Sequence, residues 1–433
     1  MRACVIGAGF AGLAAAHDLV RDGHEVVLLE RMDQPGGLAA GFADPSWSWQ
    51  LERFYHHLFA TDDAILALAR ETGFGPRVLS RRPVTALFYR GRPYALDGPL
   101  PVLRFPGVPF LDRVRMGLAV AYLKAARDWR RLEHVTAAEW TRRWMGDAAY
   151  RVIWQPLLEG KFGADAEAVP MSWLWARLHK RSMRLLYFEG GFHAFAEHLA
   201  QLIRQGGATV RYGAHVARVE RRGDGLTVTT DAGDLEVDAV IATVGPHLFS
   251  RMVAGLPHDY LAGLARMRHL GAVVGVLALR QRLMDEVYWL SMDKRDFPFL
   301  AVVEHTNFMD REPYGGDHLV YVGDYLPPEH RYFHLADEDV LGEWYAALPR
   351  INAAFDPSWV RRTWLFRSTY AQPVVPLGFS QHIPPLASPV PGVYLASMSQ
   401  VYPWDRGTNY AVEIGRRAAA LAAGRPLEAA AGL

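Results

Sequence analysis

A chain of 433 residues, half of them hydrophobic, is too long for one ordinary core and long enough for two. Its net charge of +1, spread without a long block of either sign, leaves no footprint for nucleic acid and points to a small-molecule partner. The single cysteine, Cys4, excludes an internal disulfide, a multi-cysteine zinc site and an iron–sulfur cluster.

The first element is a short apolar run, Ala3-Cys4-Val5-Ile6, with no signal-peptide pattern before it, so the cytoplasm is the expected compartment. Gly7, Gly9 and Gly12 follow, separated by Ala8, Phe10 and Ala11, and lead into a helical period over residues 13–22. Strand, glycine turn and helix in this order form a phosphate cradle. Gly7 permits the turn, Gly9 lets a pyrophosphate approach the backbone, Gly12 lets helix and strand close up, and the helix start, with Phe10 and Ala11, offers amides to an anion. A second apolar strand over residues 25–29 ends in Glu30, where an acid should accept hydrogen bonds from a ribose. The turn from Arg31 to Leu38 contains Gly36 and Gly37, which let the chain run close beside an extended cofactor. That length suits FAD better than NAD.

Tyr55, His56 and His57 come next. Either histidine can serve as a base or hydrogen-bond a cofactor ring, and backbone-satisfied structural histidines are an equally weighted reading. Residues 98–125 mix proline, arginine and apolar residues; a solvated helix with a buried face is favoured there over contact with a lipid surface. Helical periods run from Val135 to Met145, Ala148 to Leu158 and Trp173 to Arg184, and Lys161 between them reads as a surface or salt-bridged lysine. Residues 208–211 and 215–219, with Val216, are expected to pair in a nucleotide-domain sheet, and the buried strand over 238–246 carries Thr243. Alternating strands over 270–325 predict a mostly antiparallel sheet.

Glu304, His305, Thr306 and Asn307 end an apolar strand with four polar groups, which are costly if buried alone, so a cavity wall is favoured over a surface turn. Near the far end, a strand over 392–396 and Ser397 precede Tyr402, Trp404, Asp405 and Arg406, and Arg406-Gly407-Thr408-Asn409 opens an alanine-rich helix to about residue 423. Its start is a second amide donor set for the flavin end of the cofactor. The aromatic rings can face that ring while Asp405 or Arg406 aligns substrate, a packed loop being the alternative. No metal-ligand spacing or nucleophile elbow stands out.

Residues 4–42, the Gly190-Gly191-Phe192 turn, the strand at 239–246 and the segment 392–420 resemble the amine oxidase, protoporphyrinogen oxidase and carotenoid desaturase superfamily of FAD enzymes. Three further stretches resemble UDP-galactopyranose mutases: Phe54 to Phe59, Pro298 to His305, and Ala396 to Asp405. Ala301 and Ser397 stand where those mutases carry diphosphate-binding arginines, and neither can hold a diphosphate by charge. In the oxidase branch, Ala396-Ser397 replaces a common Gly-Asp pair. The resemblance implies an α/β fold: a Rossmann-type FAD domain, like that of the wider glutathione-reductase-related flavoproteins, with an inserted α+β substrate domain. The FAD domain is expected from 1–85, 186–250 and 361–433, and the substrate domain from 86–185 and 251–360. It further implies an FAD-dependent oxidoreductase acting on a C–N or C–C bond of a small organic substrate, the alternative being a non-redox flavin isomerase of a nucleotide sugar or glycoside. Oligomeric state is left open.

Overall fold

The structure, a computed structural model, describes residues 1–426, so the last part of the expected FAD domain, 427–433, lies outside the described residues. The opening segment folds as its pattern predicts, with strand Arg2–Ile6, helix Phe10–Arg21 and strand Glu25–Leu29. Arg2–Ile6 is the centre of a five-stranded parallel sheet, flanked by Glu25–Leu29 and Ala239–Ala242, with Thr209–Arg211 and Val393–Leu395 at the edges. Strands from both extremities of the chain therefore share one sheet. Alternation along the central strand sorts its two faces: Ala3 and Val5 pack toward the helices Phe10–Arg21, Gly191–Gln205 and Thr408–Ala422, while Cys4 and Ile6 pack toward an antiparallel meander. A Cβ on Gly415 would fall 2.1 Å from the Ala11 carbonyl oxygen, so the first and last helices meet backbone to backbone.

The meander corrects one expectation. Residues 208–211 and 215–219 do not pair: Thr209–Arg211 extends the parallel sheet, whereas Val216–Arg222 joins Gly225–Thr230 and Gly233–Val237 in a separate three-stranded sheet. Gly213, at φ +66°, turns the chain between them.

A second, seven-stranded sheet runs in the order Val360–Pro373, His269–Leu279, His318–Leu326, Ala301–Glu304, Val287–Ser291, Val84–Tyr89, Arg92–Ala95. All its pairs are antiparallel except Val84–Tyr89 with Val287–Ser291. The strand Val360–Pro373 crosses the expected limit at 361 and pairs with His269–Leu279, which sets residues 361–373 in this sheet rather than in the expected FAD domain. The insert between is helical, with Pro99–Arg104, Phe110–Ala125, Ala137–Met145, Gln155–Phe162 and Met171–His179. Ala137–Met145 begins at a capping box, in which the Thr136 hydroxyl accepts from the Glu139 N–H at 3.1 Å. Among the described residues no helix is long and apolar enough to cross a membrane.

Candidate active site

The glycine loop sits at the C-terminal end of the central strand. A Cβ on Gly12 would lie 1.8 Å from the Gly7 carbonyl oxygen, so only glycine lets the helix start this close to the turn. The Thr243 hydroxyl donates to the Ile6 carbonyl at 2.9 Å and ties this strand end to the loop. Gly9 faces Gly37, and a Cβ on Gly37, at φ +58°, would come 3.1 Å from the Gly9 Cα. Bare backbone thus meets bare backbone at this point. Neither Gly9 nor Gly407, the residues that precede the first and last helices, supplies a side-chain cap, so the first-turn amides of both helices have no side-chain acceptor at their N-caps. The Glu30 carboxylate accepts from the Ala8 N–H at 2.7 Å and the Met32 N–H at 2.8 Å, which fixes it at the tip of the second strand. Ala214 donates to the Glu30 carbonyl, placing buried Val216 near the same end. Two uncapped helix starts, an acid and a glycine loop of bare backbone fit a dinucleotide.

Other expected ligands are used differently. The Phe10 ring is buried against Phe192 and Phe195. Arg31 is exposed and Leu38 half-buried at the rim of the Gly36 turn. Asn409 caps a neighbouring helix, its Oδ1 accepting from the Ala64 and Ile65 N–H groups at 2.9 and 3.2 Å. Ser397 shares its hydroxyl with Tyr370 at 2.8 Å. The Asn409 amide oxygen and the Ser397 hydroxyl are thus engaged with protein groups.

Just before the last helix lies a cluster of charge. Asp405 is held by Lys161 at 3.0 Å and Arg177 at 2.7 Å, with the Trp173 indole N–H at 3.4 Å. Trp173 and Arg177 are one helical turn apart on Met171–His179, so both reach the same carboxylate. Gln372 Oε1 accepts from Lys161 and from Arg406, and Arg406 also donates to the Tyr325 hydroxyl. Burial alone would raise the Asp405 carboxyl, but Lys161, Arg177 and Arg406 outweigh it and hold it well below the usual range. Burial would likewise raise Tyr325, yet Arg406 and Lys161 bring its phenol below the ordinary value. Lys161, read from sequence as a surface or salt-bridged residue, is buried and paired.

Tyr55 adjoins this cluster and packs edge-on against Trp289, with ring centroids 5.0 Å apart. His56 and His57 follow it. His56 Nδ1 donates to the Phe54 carbonyl at 2.7 Å, leaving Nε2 as the unprotonated nitrogen, and burial lowers this histidine to about 4. His57 Nδ1 meets the Tyr288 hydroxyl at 3.1 Å, and burial lowers it to about 3. The surrounding protein and the Arg177 guanidinium lower Arg181 to about 10.

Three expected catalytic residues lie elsewhere. Glu304 is fully buried, accepting from the Met284 N–H at 2.6 Å and facing His318 at 3.4 Å. Asn307 donates to the Met284 and Val287 carbonyls at 2.7 and 2.9 Å, His305 meets the Tyr314 hydroxyl at 3.0 Å, and Thr306 accepts from the Leu319 N–H at 3.0 Å. The segment is a largely buried hydrogen-bonded knot rather than a surface turn, although Glu304 Oε1 and His318 Nδ1 have no hydrogen-bond partner among the described residues. Tyr402 bonds Ser172 at 2.6 Å, packs on Trp129 and Phe379, and lines a separate hollow of about 510 Å³ with Glu133 and Gln400. Trp404 stacks on Tyr410, their planes 5° apart.

A second buried acid tunes stability. Glu52 accepts from the Tyr187 hydroxyl and the Phe192 N–H, both at 2.6 Å, and burial pushes it up to about 7. A carboxyl raised in the fold supports folding fully below its unfolded value of about 4.5, and that support is lost as pH rises through about 7. Relative to the parent, Glu52→Gln should therefore melt at a higher temperature at about pH 8 than at about pH 6. Thermal unfolding of both proteins at the two pH values checks this, and an unchanged difference would contradict it. His56, His57 and His305 act in the opposite direction, favouring the fold above about 6.5 and losing that contribution as pH falls toward about 4 and about 3.

Comparison with known proteins agrees with this geometry. The model of the family described as flavin containing amine oxidoreductase matches residues 10–423. A chain of Mycobacterium tuberculosis (strain CDC 1551 / Oshkosh) that carries the name flavin-containing monoamine oxidase is 32% identical over 265 residues, 56% of each chain. The chain thus spans little more than half the length of that relative. A solved structure from Exiguobacterium sp. 255-15, described as a protoporphyrinogen oxidase, superposes with a TM-score of 0.77 over 98% of this chain and 99% of its own, at 16% identity. A reduced UDP-galactopyranose mutase superposes with a TM-score of 0.76 over 100% of this chain and 98% of its own, at 17% identity. At those identities the likeness is one of fold.

Proposed function

The chain belongs to the flavin-containing amine oxidoreductase family, and on that premise we propose that it is an FAD-dependent oxidoreductase that oxidises a C–N or C–C bond of a small organic substrate. The Gly7-Gly9-Gly12 loop, Glu30, the Gly36-Gly37 turn and the backbone amides of Gly407 and Thr408 would hold FAD, whose ring, when bound, accepts a hydride. The observation that carries the reading is the position of the charged cluster: Asp405 and Arg406 immediately precede the uncapped start of the last helix.

Oxidation also releases a proton, and the Tyr325 hydroxyl, which Arg406 and Lys161 hold below its ordinary pKa, would take it. Arg406, Lys161 and Arg177 surround a single carboxylate, Asp405, so the site carries surplus positive charge. That surplus suits a neutral or anionic substrate and disfavours a protonated amine, which favours the C–C form of the reaction. Anaerobic mixing with amines, desaturase substrates and porphyrinogens should bleach the flavin with one of them, and Tyr325→Phe should slow that bleaching about a hundredfold with the flavin still bound. Flavin that stays oxidised across the set would overturn the reading.

The same surplus charge supports a second reading, since Arg177 and Arg406 could hold a phosphate although Ala301 and Ser397 cannot. A flavin isomerase would convert a nucleotide sugar when reduced by dithionite, without net consumption of reductant.

A further inference from the structure

Among the described residues, nothing packs against one apolar face of the helical insert. One side of the Phe110–Ala125 helix is buried through Met116, Ala119 and Leu123, as the sequence favoured. The other side presents Phe110, Leu111, Val114, Leu118 and Tyr122 at helical spacing, with Leu111 74% and Leu118 69% exposed. Leu100 and Leu103 of the adjoining Pro99–Arg104 helix are exposed as well, and Arg113 ties the two helices by donating to the Leu103 carbonyl. The neighbouring Ala137–Met145 helix adds exposed Trp144, with the Arg143 guanidinium 5.4 Å from its ring centroid.

The charge around this face is one-sided. Residues 98–131 hold seven lysines or arginines against Asp112 and Asp128, in a chain whose net charge is +1. A continuous apolar stripe rimmed by cations is the pattern of an element that lies in a membrane interface. At 16 residues, the Phe110–Ala125 helix is suited to lying in the interface plane rather than spanning it. Tyr122 and Trp144 have the amphipathic rings that settle at headgroup level.

We propose that this face docks on an anionic lipid bilayer. A second copy of the chain would bury the stripe equally well but would bring two cationic rims together, whereas anionic headgroups neutralise the rim. The buried side of the helix packs on Met171–His179, whose Trp173 and Arg177 reach Asp405. One helix therefore separates the lipid-facing stripe from the charged cluster. Delivery of a lipid-dissolved substrate follows only if the oxidoreductase reading holds; docking itself does not depend on it.

The test is sedimentation of the full-length, flavin-loaded protein with vesicles of phosphatidylcholine alone or mixed with phosphatidylglycerol. The expected result is binding at least about tenfold stronger to the anionic vesicles, weakened by salt. The Leu111→Glu/Leu118→Glu variant should stay in the supernatant while keeping its flavin absorbance, which separates loss of docking from loss of fold. Three results would overturn the proposal: parent protein that stays in the supernatant with both vesicle types, a variant that binds like the parent, or a parent dimer in solution that the variant converts to monomer.

Discussion

Gly9→Ala should yield a folded protein that binds FAD about ten to a hundred times more weakly than the parent. The expectation rests on a difference between two glycines. A Cβ at Gly9 would meet only the Gly37 Cα, at 3.8 Å, an ordinary contact, so the protein itself has room for it. A Cβ at Gly12 would strike the Gly7 carbonyl at 1.8 Å, so Gly12→Ala disturbs the loop before any ligand arrives. If a pyrophosphate lies against the Gly9 backbone, the extra methyl group costs ~1–3 kcal/mol through overpacking in the complex alone. Titration of both apoproteins with FAD, with circular dichroism to check the fold, measures it. Equal affinity would place the nucleotide elsewhere.

Asp405→Asn should have a large effect on stability as well as on turnover. The side chains of Lys161, Asp405 and Arg177 are 11%, 18% and 24% exposed, so all three charges are largely removed from water. Replacing the carboxylate by an amide leaves two cations with Arg406 beside them and no anion between. Breaking a buried pair in this way costs about 3–5 kcal/mol. Denaturant unfolding should show that loss, and flavin reduction by substrate should fall with it as Arg177 and Lys161 lose their anchor. Asp405→Glu should recover part of both. A variant as stable as the parent would mean that solvent screens the cluster far more than the geometry implies.

The sequence revealed what neighbouring residues decide among themselves. The glycine loop, Glu30, the Gly36-Gly37 turn and the last helix were legible because backbone conformation at those points is set by local residue type. The helix expected from Arg406 to about 423 is Thr408–Ala422. What needed long-range contact was not legible. Lys161 and Asp405 are 244 residues apart, and Trp173 and Arg177, although spaced for one helix face, gave no hint of which carboxylate they would meet. Glu304 to Asn307 read as costly polar groups, but their partners are out of local reach: Met284 and Val287 lie about twenty residues earlier, and Tyr314 and Leu319 later in the chain. Likewise, alternation marked residues 215–219 as a strand without saying which sheet would receive it.

Both readings of the chemistry require that helix starts from opposite extremities of the chain grip one flavin dinucleotide. Denaturing the purified protein and quantifying the released nucleotide tests this most directly. The account predicts one equivalent of FAD per chain. A colourless protein that takes up no added FAD, or one that releases only a mononucleotide, would contradict it.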